Sequence, residues 1–350
     1  MKRRALFFCF VLSLSLIVSA CTGAPAAPVT DDFSVYLSSE EKTFSESAPP
    51  VFSQEETAEE IVIDRDYEKN MRLVEDSDPA FSCAKAIAWS SESGVLIRKG
   101  DRISPLYPAS LTKLVTALTA LSVASPDTEC TAGAEMKLAE PETSIAYLPE
   151  GSRADLETLI EAMLLPSGCD AAYVIAANLG RILSPGANTA EAVAAFVDRM
   201  NEWSKENGLL HSHWTNPDGN HADSHYSCLE DMLQVMILSL NEPVILKCAA
   251  LSSDNVTLLS GHKLTWKNTN RLIDASGPYY DPACFGLKTG QTKEAGGCLA
   301  SAFRYGDEVV LIGVFGSGRY DYRFESTKLV LKEVTAMRAE RDENAADAAR

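Results

Sequence analysis

The chain has 350 residues with 46% hydrophobic content, enough for one large domain or two modest ones. A formal net charge of −18 excludes a basic nucleic-acid-binding face, so no nucleic acid is expected as a partner. Its length also argues against a small fold stapled by its nine cysteines.

The chain opens with a targeting segment. Lys2, Arg3 and Arg4 form a basic start, and residues 5–18 an apolar run too short and wrongly flanked for a stable membrane span. The run ends in Val18-Ser19-Ala20-Cys21, which resembles the lipobox of bacterial lipoproteins. On that reading residues 1–20 are a signal peptide. Cleavage leaves Cys21 lipidated, tethering a soluble domain to the outer face of a membrane. An ordinary secretory peptide cleaved near residues 24–27 is the other reading. Residues 21–77 are expected to be a solvated acidic stalk. Fourteen carboxylates stand against four Lys or Arg in residues 31–76, with few large apolar residues to offset ordering entropy. Ile61-Val62-Ile63 is the candidate contact within it.

Residues 78–338 are expected to form the folded domain, with order beginning near Phe81. Cys83 to Trp89 reads as a strand, Ser91-Glu92-Ser93-Gly94 as a turn, and Val95 to Arg98 as the returning strand. Pro105 and Pro108 then lead into an apolar helix. Ser110 lies at its start, Lys113 one turn on, and Leu111, Leu114, Val115, Leu118 and Leu121 recur at helical spacing. Residues i and i+3 share a helix face, so an uncharged Lys113 amine could take the Ser110 hydroxyl proton. The pair alone also fits a capping serine beside a solvated lysine.

An amphipathic helix is predicted over 155–165, stopped by Pro166 and followed by a turn at Ser167-Gly168-Cys169-Asp170. Another runs over 171–179 and ends at Gly180. Asn188 starts the next, with Glu191 placed for a capping box, and Gly208 ends it. Asn216-Pro217-Asp218-Gly219 is a turn, and 230–240 is helical. Lys288-Thr289-Gly290 precedes a strand hairpin over 297–303 and 308–315, and a last helix spans about 322–337. Residues 339–350 form a polar, frayed tail. Sheet elements thus come from both ends of the domain and helices from its middle.

No two of Cys83, Cys130, Cys169, Cys228, Cys248, Cys284 and Cys298 have C-x-x-C spacing, so no zinc or redox motif is expected. They read as small core residues, with one or two disulfides left open. His211, His213, His221 and His225 crowd together without a matching carboxylate geometry, so neither metal nor cofactor is expected.

Three signals stand in order: Ser110-x-x-Lys113, Ser167-Gly168-Cys169 and Lys288-Thr289-Gly290. This trio is the known signature of penicillin-recognising serine enzymes. The match extends through Tyr107-Pro108-Ala109-Ser110-Leu111-Thr112-Lys113, Leu164-Leu165-Pro166-Ser167-Gly168-Cys169-Asp170-Ala171 and Gly286-Leu287-Lys288-Thr289-Gly290-Gln291-Thr292. Asn216-Pro217-Asp218-Gly219, His225, Asn268-Thr269-Asn270, Ala295-Gly296-Gly297-Cys298-Leu299 and Arg323-Phe324-Glu325-Ser326 echo further segments. Over residues 80–335 the chain resembles the low-molecular-mass penicillin-binding proteins of the D-alanyl-D-alanine carboxypeptidase type, peptidase family S11.

The resemblance implies an α+β fold, an antiparallel sheet packed by helices with an inserted helical lobe. It implies a peptidoglycan stem pentapeptide as substrate and β-lactams as covalent inhibitors. Ser110 would be the nucleophile and Lys113 its base, kept uncharged by burial and by Lys288 as a neighbouring cation. Ser167 would relay a proton. The backbone N–H groups of Ser110 and Gln291 would hold the oxyanion. Gly290 belongs to the same binding segment, and Thr289, Thr292 and Arg323 would bind the substrate's carboxylate. A D,D-endopeptidase or a catalytically weak muropeptide or β-lactam sensor are the alternatives. A β-lactamase fits less well, because no Glu-x-x-Leu-Asn box follows the second motif. The chain departs from the family at Cys169, where the second box usually ends in asparagine. An active, a slowed or a degenerate site are the three consequences left open.

Overall fold

The computed structural model describes residues 71–75, 78 and 81–348. The expected signal peptide, Cys21 and most of the acidic stalk lie outside the described residues. In chain order come β1 (Arg72–Val74), β2 (Lys85–Ser90), β3 (Gly94–Lys99), α1 (Thr112–Val123), β4 (Glu129–Thr131), β5 (Arg153–Asp155), α2 (Leu156–Leu164), α3 (Cys169–Leu183), α4 (Thr189–Glu206), α5 (Leu229–Leu240) and α6 (Pro243–Ala249). Then follow β6 (Ser253–Thr257), β7 (Lys263–Lys267), β8 (Cys284–Thr292), β9 (Gly296–Tyr305), β10 (Glu308–Ser317) and α7 (Tyr322–Ala348).

A six-stranded sheet is assembled from both ends of the domain in the order β1-β3-β2-β10-β9-β8. Its pairings are antiparallel except β1 on β3. The central strands read as near-continuous apolar runs because both faces are covered. Successive side chains point to opposite faces, so Ala86, Ala88, Val310, Ile312 and Val314 join Phe324, Val330 and Val334 of α7. Ile87, Trp89 and Leu311 join the larger core shared with the helical lobe. Fully burying one such aliphatic side chain stabilises the fold by roughly 1.5–3 kcal/mol.

Local signals set the lobe. The Asp155 side chain caps α2 by accepting from Thr158 N at 2.8 Å. Asn188 and Glu191 form the expected capping box on α4. Gly180 does not end α3. It lies inside the helix where α4 crosses, and an added Cβ would come within 1.8 Å of the Ala192 carbonyl oxygen. This glycine serves close packing.

Three further expectations need correction. Order begins before Phe81, because Arg72–Val74 pairs with Ile97–Lys99, Val74 is buried, and Arg72 forms an ion pair with Glu333 of α7. Lys288-Thr289-Gly290 lies inside β8, paired with Ala300, Leu299 and Cys298 of β9, so the hairpin is the far part of a three-strand meander. The last helix continues past Met337 to Ala348, with Arg338 and Arg341 both reaching the buried Glu308. All seven cysteines in the described residues are free thiols. Among the described residues no single helix is long and apolar enough to cross a membrane.

Candidate active site

The three sequence signals converge where α1, the start of α3 and β8 meet. Residues Ala109–Leu111 form a single 3-10 turn that feeds α1. Ala109 is held at φ +49°, a left-handed conformation that costs roughly 1–3 kcal/mol for a residue with a Cβ. The turn leaves Ser110 partly exposed while Lys113 is wholly buried. Lys113 Nζ donates to Ser110 Oγ at 2.9 Å, to Cys169 Sγ at 3.3 Å and to the Asp218 carbonyl oxygen at 2.7 Å. An ammonium group uses all three contacts as donors. An uncharged amine keeps only two hydrogens. If the Asp218 oxygen and the sulfur take those, the lone pair faces the Ser110 hydroxyl, the arrangement a base requires.

Ser167 is buried and also left-handed, at φ +63°. The Cys169 backbone N–H donates to Ser144 O at 2.8 Å, and Asp170 accepts from Ala146 N at 2.7 Å and Leu148 N at 3.2 Å. The loop before β5 is therefore laid along the second motif. Burial pushes the Cys169 thiol above its ordinary range, the Lys113 charge opposing it, so the group stays a protonated thiol at neutral pH.

β8 is the end strand of the sheet and closes the other side. Gly290 packs so tightly that an added Cβ would lie 2.9 Å from Pro108 O and from the Leu111 side chain. Thr289 Oγ1 lies 2.6 Å from Thr269 Oγ1. Gln291 is exposed at the strand edge, and Thr292 Oγ1 accepts from Ala295 N at 2.9 Å. Arg323, 1% exposed, donates from Nη1 to Gly290 O at 2.9 Å and has its guanidinium carbon 3.9 Å from the Tyr320 ring centre. Its buried Nε has no partner among the described residues.

Lys288 is 1% exposed and donates to Thr289 O at 2.9 Å. Its amine is held well below the ordinary lysine value, first by burial and then by the charges of Lys113 and Arg323. Burial thus works against the Lys288 charge, and Arg323 is a second cation nearby. The histidines hold no metal cluster among the described residues, and His225 instead bonds to Thr112 and Thr215.

Sequence reading missed the part played by Asp218. The turn at 216–219 was legible, but the atom that meets Lys113 is a backbone carbonyl, which leaves no mark in residue type. Thr269 was singled out only within Asn268-Thr269-Asn270, without a role, and the loop around Ser144 escaped, since their proximity to the site depends on tertiary packing.

This architecture is that of the penicillin-binding proteins. It superposes on the Streptomyces K15 DD-transpeptidase with a TM-score of 0.66 at 24% identity, covering 74% of this chain and 99% of that one. Penicillin-binding protein D2 from Listeria monocytogenes, in its ampicillin-bound form, gives 0.57 at 24% identity over 72% and 96%. Residues 73–317 match the D-alanyl-D-alanine carboxypeptidase family profile, and the chain belongs to that family. A D-alanyl-D-alanine carboxypeptidase of Streptomyces sp. (strain K15) is 31% identical over 179 residues, 50% of this chain and 58% of the relative. DacF of Bacillus subtilis is 26% identical over 245 residues, 69% and 59%. The chain thus spans under two thirds of the length of these relatives. Among solved variants of the Streptomyces K15 enzyme are replacements of a serine and of a cysteine two positions after it, the spacing of Ser167 and Cys169.

Proposed function

We propose that the protein is a serine-type D-Ala-D-Ala carboxypeptidase acting on peptidoglycan stem pentapeptides. The observation that carries this reading is the 2.9 Å contact between the partly exposed Ser110 Oγ and the buried Lys113 Nζ. Lys113 takes the hydroxyl proton as Ser110 Oγ bonds to the carbonyl carbon of the penultimate D-Ala. The Ser110 and Gln291 backbone N–H groups face the developing oxyanion, where one such donor is typically worth about 2.7–4 kcal/mol. Ser167 relays the proton to the departing nitrogen, the C–N bond breaks, and D-Ala leaves. Water then hydrolyses the Ser110 ester. Arg323, with Thr289 and Thr292, receives the terminal carboxylate, which a guanidinium suits. The stem peptide lies along the outer edge of β8 as an added strand. A β-lactam carbonyl takes the same place and leaves a stable acyl group on Ser110.

The test is covalent labelling with a fluorescent penicillin, together with D-Ala release from diacetyl-Lys-D-Ala-D-Ala. Labelling lost in Ser110→Ala, with D-Ala released by the parent, supports the reading; labelling that survives the substitution ends it.

Cys169 favours a second reading, transfer of the acyl group to an amine instead of water. Its spacing from Ser167 is that of the pair replaced in a neighbour described as a DD-transpeptidase. Adding an amine acceptor and measuring the ratio of transfer to hydrolysis separates the two. D,D-endopeptidase activity is read from cleavage of cross-linked dimers, and a sensor would acylate without turnover.

We further propose that Cys21 carries lipid and tethers the domain outside the cytoplasmic membrane. Labelled palmitate incorporated by the parent and lost in Cys21→Ala supports this. A protein released unlipidated into the medium favours the ordinary secretory peptide.

A further inference from the structure

His225 is 2% exposed and lies outside the three motifs. It stands at the neck of the hairpin loop 214–225, one residue inside the backbone bridge between His213 and Tyr226. The Thr215 backbone N–H donates to His225 Nδ1 at 3.2 Å. A backbone N–H cannot accept, so Nδ1 must carry the lone pair and the ring proton sits on Nε2. That proton is donated to Thr112 Oγ1 at 2.8 Å. Thr112 is the first residue of α1, next to Lys113. The ring is packed edge-on against Trp214, centres 5.5 Å apart, and Trp214 is itself anchored by Nε1 donating to Ser204 Oγ at 2.7 Å.

The tip of the same loop presses on α1. Thr116 Oγ1 donates to Pro217 O at 2.6 Å, and Lys113 Nζ to Asp218 O at 2.7 Å. Gly219, at φ +83°, sits so close that an added Cβ would lie 2.0 Å from Ala109 O. The loop therefore meets the α1 segment at both neck and tip, and His225 makes the side-chain bond at the neck.

We propose that His225 is a positioning residue: by bridging Thr215 to Thr112 it fixes the loop so that the Asp218 carbonyl stays on Lys113 and orients that amine towards Ser110. This rests on the reading of Ser110 as nucleophile and Lys113 as its base. The bridge needs the neutral ring, since a proton on Nδ1 would remove the acceptor for Thr215. Burial, then the nearby His213 and His221, hold the ring down at about 3, which favours the neutral form around neutral pH.

Acylation by a fluorescent penicillin is measured under single-turnover conditions for the parent, Ser110→Ala, His225→Ala, His225→Gln and Thr112→Val, each with its thermal midpoint. The expected result is a fall of roughly 10–100-fold in the acylation step for His225→Ala and Thr112→Val, with little change in reversible penicillin binding. His225→Gln, whose amide can still reach Thr112, should recover most of the rate. Equal acylation per folded molecule in all the His225 and Thr112 variants overturns the proposal, as does loss that follows the thermal midpoint alone. A parent that labels independently of Ser110 overturns the nucleophile reading instead. The bridge has its own test in the ¹⁵N shifts of the His225 ring. A bare Nδ1 and protonated Nε2 from pH 5 to 8 are expected, and an imidazolium at pH 5 overturns it.

Discussion

Lys113 and Cys169, 56 positions apart in the chain, meet with the lysine nitrogen donating to sulfur at 3.3 Å. The sulfur thus stands where a better acceptor would hold one hydrogen of the amine. A thiol accepts weakly, whereas an amide oxygen accepts well.

Cys169→Asn is therefore expected to raise the rate of D-Ala release several-fold. Cys169→Ala, which removes the acceptor, is expected to slow acylation by about 2–10-fold, the worth of one modest hydrogen bond. Steady-state kcat with a D-Ala-D-Ala peptide checks both. An unchanged rate in Cys169→Asn would remove the thiol as the weak link.

Arg323→Ala should raise KM for a carboxylate-ended peptide by roughly 10–100-fold, since charge-assisted hydrogen bonds contribute about 1.5–3 kcal/mol. The matching peptide amide should be nearly indifferent to the substitution. Comparing the two substrates isolates the carboxylate contact from any general loosening of Gly290, whose carbonyl Arg323 also holds.

The buried Lys288 amine makes stability depend on pH. Its folded-state value is depressed, chiefly by burial. At pH values between that depressed value and the ordinary 10.5, the unfolded chain binds the proton more tightly than the folded one. Stability therefore rises with pH across this window. Lys288→Met should raise the thermal midpoint at pH 7, flatten that slope and abolish acylation. Thermal scans at pH 6, 7.5 and 9 measure the first two effects and penicillin labelling the third.

Glu161 shows the same logic in an acid. Burial, and then the Asp254 carboxylate, push it up to about 7, and its Oε1 has no partner among the described residues. Between the ordinary 4.5 and about 7 the folded chain holds the proton more tightly, so stability falls as pH rises through this range. Glu161→Gln should stabilise by roughly 1–3 kcal/mol at pH 8 and by almost nothing at pH 4. Urea unfolding at the two pH values checks this.

Much of this was legible in the sequence because the signals were local. Ser110 and Lys113 share a helix face by spacing alone. Asn188 and Glu191 announce their helix start through hydrogen bonds four residues can make. What escaped depended on distant partners. Gly180 looked like a helix end and proved to be a contact with α4. Lys288 was legible as a site lysine, but its near-complete burial was not, because it depends on how β8 pairs with β9. The strand at Arg72–Val74 was hidden in an acidic surrounding, its pairing supplied by β3 and its anchor by α7.

That short strand has a consequence for how the protein behaves at high concentration. A sheet invites foreign chains wherever a long flat border is left unpaired. Here β1 seals one border with three residues, too few to template a neighbour and carrying the ion-paired Arg72. The border along β8 is left as the long one, and it runs past Ser110. The open border is thus the one beside the site, and losing β1 would uncover a second along β3, so shortening the chain through Val74 should promote aggregation while sparing turnover in the molecules that stay dispersed.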